Sequence, residues 1–157
     1  MTFKSFAAAL LAALLIQPIS TLTALAGDLS IKHPTLRATA PGAKVGAGYA
    51  IISNAGQTDD RLIEVRAKFA KRVELHEMKM QDQVMKMSPL ANGVAAPAGQ
   101  TVKLVPGGNH ITFMGLEGPL KAGETRKATL VFEKAGPMEL TFTVKPIGET
   151  LKMKHSH

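Results

Sequence analysis

Four of the eight methionines fall within one short segment, Leu75-His76-Glu77-Met78-Lys79-Met80-Gln81-Asp82-Gln83-Val84-Met85-Lys86-Met87. There they alternate with charge, as Met78-Lys79-Met80 and Met85-Lys86-Met87. A single methionine such as Met80 or Met85 reads most simply as a core gap-filler, and a lone histidine on a strand as an exposed one. The whole cluster does not look like core, because lysines interrupt it. Thioethers are soft, neutral ligands that favour Cu(I) over zinc, magnesium or calcium. Mixed with imidazole they need no deprotonation of the methionine, so a site built from them can work across a wide pH range. In an oxidising compartment it also escapes disulfide formation, although sulfoxide formation stays open to it. Such a site suits carrying copper and giving it up.

These residues need strands to present them. If Val73 and Leu75 face a core, alternation sends His76, Met78 and Met80 to the opposite face. A hairpin with a two- or four-residue loop about Gln81-Asp82 then sets His76 opposite Met87 and Met78 opposite Met85, close enough to share one ion. A three-residue loop breaks the match. Downstream, Ile111 and Phe113 are natural core residues, which leaves His110, Thr112 and Met114 on the other face.

The rest of the chain supplies a scaffold of the same kind. Short apolar or alternating runs sit between Gly, Pro and Asn punctuation: 47–53, 62–65, 73–80, 84–87, 102–105, 110–114, 128–132 and 139–144. Leu130/Phe132 and Leu140/Phe142/Val144 mark buried sides. No segment keeps a helical period, and no internal repeat or long linker is present. The expected fold is an all-β antiparallel sandwich or barrel. Residues 27–150 form that single domain, and 151–157 form a flexible tail containing Met153, His155 and His157. Residues 1–26 read as a signal peptide: Lys4, the apolar run Phe6 to Ile16, then Ala24-Leu25-Ala26, with cleavage near Ala26. The run is too short to span a bilayer, and no cysteine follows it to carry a lipid.

Composition excludes several classes. The lysines and arginines behind the formal net charge of +7 are scattered between acids rather than gathered on one helix, and there is no Trp and one Tyr, so nucleic-acid binding is not expected. The simplest reading of the charge is a soluble basic surface, although it could also steer the protein to an acidic partner or anionic membrane. With no cysteine, neither a disulfide framework nor a blue-copper electron-transfer site can form. No G-x-S-x-G element supports a hydrolase, and no enzyme activity is expected. A structural β-sandwich module, in which the Met cluster is incidental, stays as an alternative.

The order of elements carries a resemblance. His76 through Met87 is followed by Pro89, Pro97-Ala98-Gly99, Pro106-Gly107-Gly108-Asn109-His110 and Met114-Gly115-Leu116. His33-Pro34, Arg37-Ala38-Thr39-Ala40-Pro41-Gly42 and Ala47-Gly48-Tyr49 precede it, and Pro119-Leu120-Lys121 comes after. Together these closely resemble the PCuAC family of periplasmic copper chaperones over nearly the whole mature chain. The resemblance implies a cupredoxin-like β-sandwich that binds Cu(I) through a His, a Met and a His-x-Met pair. It also implies a role in supplying copper to cytochrome c oxidase, with oxidase subunit II or a Sco-type chaperone as partner. Copper storage or tolerance is the alternative role. A monomer without stable membrane insertion is expected. By position, His76, Met87 and His110 match the first three ligands. The fourth position holds Thr112, a poor Cu(I) ligand, so Met114 is expected to replace it, with Met78 as competitor. Met153, His155 and His157 resemble the His/Met-rich extensions of some members, and the resemblance leaves two readings open, a secondary Cu(II) site and a merely solvated terminus.

Overall fold

The computed structural model describes residues 28–152. The expected leader and the tail residues Met153, His155 and His157 lie outside the described residues.

Ten strands and one short helix make up the described chain. They are β1 (Leu29–Arg37), β2 (Val45–Asn54), β3 (Asp60–Ala67), β4 (Ala70–Gln81), β5 (Val84–Pro89), β6 (Val94–Ala96), β7 (Thr101–Leu104), β8 (His110–Leu116), β9 (Thr125–Phe132), β10 (Gly136–Lys145) and α1 (Ile147–Lys152). The strands form one sheet in the order β5-β4-β8-β2-β1-β10-β9-β3-β6, with β7 also pairing β2. The all-β expectation holds, but the sheet is mixed rather than wholly antiparallel. β1 runs parallel to β10, with Thr35, Leu36 and Arg37 opposite Thr143, Val144 and Lys145.

Alternation explains the core. Ala128, Leu130 and Phe132 of β9, with Phe142 and Val144 of β10, send every second side chain inward. They meet Leu36, Ile52, Leu62, Leu75, Leu104, Ile111 and Phe113 in one buried cluster. Phe113 stacks on Phe69 at 5.0 Å between ring centroids. Gly48 lies against the Phe113 ring and Leu36, so a Cβ there would sit 2.7 Å from Phe113 Cε2. Every strand except β5 contributes to the cluster, and β5 is exposed along its whole length.

α1 was not expected from the sequence. At six residues it is too short to display a helical period. The Thr150 hydroxyl, fully buried, donates to the Ile147 carbonyl at 2.8 Å. Among the described residues no helix is long and apolar enough to cross a membrane.

Candidate metal centre

The donor-bearing strands are neighbours. β4 lies between β5 and β8, and β8 pairs β2 on its other side. His76 of β4 stands directly opposite His110 of β8. The two rings are 5.9 Å apart between centroids and nearly perpendicular.

The β4–β5 register differs from the expected one by two residues. The turn is Asp82-Gln83, not Gln81-Asp82, and both residues have positive φ, 50° and 63°. That is a two-residue type I′ turn. It sets Met78 opposite Met87 and Met80 opposite Met85, while His76 faces Pro89. A shift of two residues preserves the face of every side chain. The expected donors therefore remain on one side, but Met87 pairs with Met78 rather than with His76.

Met78, Met87, His110 and Thr112 line one cavity of about 400 Å³, together with Arg37, Tyr49 and Ile147. The chain after β1, including Ala38, Thr39, Ala40 and Ala43, forms another wall. This covering accounts for the burial of His110 and Thr112, whereas His76 is not among the residues that line the cavity. His76, His110 and Thr112 point away from the main core, yet they are only 7%, 7% and 6% exposed.

Hydrogen bonds fix both imidazoles. His110 Nδ1–H donates to the Gly108 carbonyl at 2.9 Å, which leaves the Nε2 lone pair as the free ligating position. Burial pulls the His110 pKa below 6.5; the nearby His76 and Arg37 add to this, and the Gly108 bond opposes it. The ring is thus neutral at pH 7, the form that binds metal. His76 is tied at both ends. Its Nε2–H donates to Glu74 at 2.9 Å, and Glu74 is held in turn by Arg72 at 3.1 Å. In the neutral ring Nδ1 accepts from the Thr112 hydroxyl at 3.0 Å. A metal at His76 Nδ1 must displace that hydroxyl. The bond to Glu74 would then become the carboxylate–histidine–metal arrangement common behind metal ligands.

Met114, the expected fourth ligand, is not brought to the cavity. It lies four residues beyond His110, which is about 13 Å along an extended strand. Its sulfur accepts a hydrogen bond from Arg72 at 3.3 Å. Met114 is not among the residues that line the cavity, and Met78 is the thioether there beside Met87. Arg37 and Tyr49 were missed as cavity residues. The pairing of β2 with β8 brings Tyr49 to the site and that of β1 with β2 adds Arg37, and no local pattern announces either. Burial pushes the Tyr49 phenol up, with Arg37 opposing, so Tyr49 stays protonated. Among the described residues no group of three or more His, Asp or Glu side chains is placed to hold one ion.

Comparison with known proteins places this geometry. Residues 29–144 match the family described as "Putative lipoprotein LpqE-like". A curated relative, "Putative lipoprotein Lxx21020" of Leifsonia xyli subsp. xyli, is 31% identical over 106 residues, covering 68% of this chain. The chain spans 64% of that relative's length. Among solved structures, the apo PCuAC domain from PmoF1 is 31% identical with a TM-score of 0.65, covering 76% of this chain and 95% of that domain. The copper-bound PCuAC domain from PmoF2 is 28% identical with a TM-score of 0.65, covering 76% and 94%. The solution structure of CuI-DR1885 from Deinococcus radiodurans is 28% identical with a TM-score of 0.59, covering 80% and 83%.

Proposed function

Since the chain belongs to the LpqE-like family, that of the PCuAC domains, we propose that it is a Cu(I)-binding metallochaperone without catalytic turnover. The observation that carries this reading is the convergence of Met78, Met87 and a neutral His110 on one cavity. His76 completes the set when its Nδ1 exchanges the Thr112 hydroxyl for the ion. Two thioethers and imidazole nitrogen suit a soft d¹⁰ cation and give a hard divalent ion little. Arg37 in the cavity wall sharpens the choice, because Coulomb repulsion from a fixed positive charge is twice as large for a divalent ion as for a monovalent one.

The protein acts outside the cytoplasm, in the periplasm, and passes Cu(I) to a copper-accepting protein. Cytochrome c oxidase subunit II and a Sco-type chaperone are the acceptors proposed. Supporting the location are the signal-like leader and the lipoprotein names of the family and the curated relative. Supporting the copper reading are the copper-bound solved relatives. A second site for Cu(II) at Met153, His155 and His157 is part of the same proposal.

Anaerobic competition with a chromophoric Cu(I) chelator tests the main site. Met87→Leu and His110→Gln should each lower Cu(I) affinity at least tenfold, and equimolar Zn(II) should not displace the ion. Parental affinity in both variants would remove the cavity as the site. Anaerobic mixing of the loaded protein with an apo acceptor tests delivery, and no transfer to either acceptor would remove those partners.

A further inference from the structure

The hairpin carries a second pair of sulfurs that the cavity does not use. Met80 pairs directly with Met85, one rung outward from the Met78–Met87 rung. The two-residue turn makes Gln81 and Val84 the hydrogen-bonded pair that closes the hairpin. Alternation then makes Met80–Met85 and Met78–Met87 both non-hydrogen-bonded pairs, with Cα atoms about 4.5 Å apart and side chains at their closest. The two rungs share one face and are separated by about 6–7 Å along the strands. On the opposite face stand Lys79 and Lys86, with Lys79 tied to Glu77 at 2.7 Å.

Met80 and Met85 bury little and support nothing. They are 65% and 41% exposed, and neither belongs to the core cluster. Packing gives no reason for a thioether at either position. Two opposed thioethers on flexible stems, open to solvent, are however able to close on a soft monovalent ion from two sides.

We propose that Met80 and Met85 form an outer Cu(I) site, a shallow two-sulfur landing position that feeds the inner cavity. Cu(I) is captured at the outer rung and moves inward by ligand exchange, Met80 and Met85 giving way to Met78 and Met87. The ion keeps its charge and oxidation state throughout, and at least one sulfur holds it at each stage. This proposal rests on the Cu(I) reading of the inner cavity.

The test is a titration of the full chain, labelled at the methionine methyl groups, with anaerobic Cu(I) followed by NMR. The Met78 and Met87 methyls should move during the first equivalent. Those of Met80 and Met85 should move during the second, in fast exchange. The double variant Met80→Leu/Met85→Leu keeps side-chain size on an exposed rung, so it leaves the fold in place. It should abolish the second step, slow loading of the inner site at least fivefold at limiting Cu(I), and leave inner-site affinity within twofold. The proposal is overturned if the Met80 and Met85 methyls stay still to two equivalents, if they move together with Met78 and Met87 in the first, or if the double variant loads at the parental rate. Static Met78 and Met87 resonances would instead remove the inner site, and the two failures are therefore distinct.

Discussion

Thr112 is the residue at which this chain departs from the His-x-Met pattern of the family it resembles, and its hydroxyl has a task there. It donates to His76 Nδ1, so the imidazole is held in place without metal. Thr112→Met adds a thioether to a cavity already lined by two and removes the bond that occupies Nδ1. Cu(I) affinity should rise at least tenfold in chelator competition, and a fall would mean that the cavity cannot admit the longer side chain. Thr112→Val separates the two effects. It keeps the shape but leaves Nδ1 without a donor, which should cost the metal-free protein about 1–3 kcal/mol by urea unfolding. Most of that loss should disappear when Cu(I) is present. His110 carries the pH dependence at this scale. Its folded pKa lies below 6.5, so the unfolded chain binds the proton first. Stability of the metal-free protein therefore falls as pH drops from 6.5 toward the depressed folded pKa, and this group adds no further loss below it. Urea midpoints over that window should show a slope that His110→Gln removes.

At the scale of the element, the hairpin decides which donors meet. Its strands and their outward faces are legible in the sequence, because alternation about Val73 and Leu75 fixes the faces of His76, Met78 and Met80 whatever the turn does. The register is not legible. Asn-Gly would have announced a type I′ turn, whereas Asp82-Gln83 holds both residues at positive φ without glycine. The expected pairing is consequently two residues out. Gln83→Gly should relieve the left-handed conformation and stabilise the protein by about 1 kcal/mol, read as a higher urea midpoint. The register would be unchanged, and NMR contacts between Met78 and Met87 should persist. A lower midpoint would show that Gln83 makes a compensating contact. Other elements escaped for simpler reasons. β6 has three residues and α1 has six, both below the length at which periodicity speaks. Met114 shares its strand face with His110, but the sequence does not say which point along that face the ion occupies.

At the scale of the whole molecule, the site is the outer skin of a wall whose inner skin is the core. His110 and Thr112 alternate with Ile111 and Phe113 along β8, so one strand presents donors on one side and the main core on the other. Gly48 of the neighbouring β2 packs closely against the core side of this wall. A methyl group there meets Phe113 and Leu36, and Gly48→Ala should cost about 1–3 kcal/mol through overpacking. Because Phe113 must shift, Cu(I) affinity should drop together with the thermal midpoint, in contrast to Met87→Leu, which lowers affinity alone. Midpoint and affinity measured side by side check the distinction.

The parallel pairing of β1 with β10 has a consequence for how the chain assembles. The strand that begins the described domain finds one neighbour only in the strand that ends it, across nearly the entire intervening sequence. A growing or threading polypeptide therefore carries β1 with a bare flank until β10 arrives. Contacts so distant along the chain place such a topology among slow folders, on the order of milliseconds to seconds. Throughout that interval the exposed backbone of β1 is open to pairing with other chains. β10, the last strand to appear, thus covers the flank of β1 and joins it to the β9-β3-β6 half of the sheet.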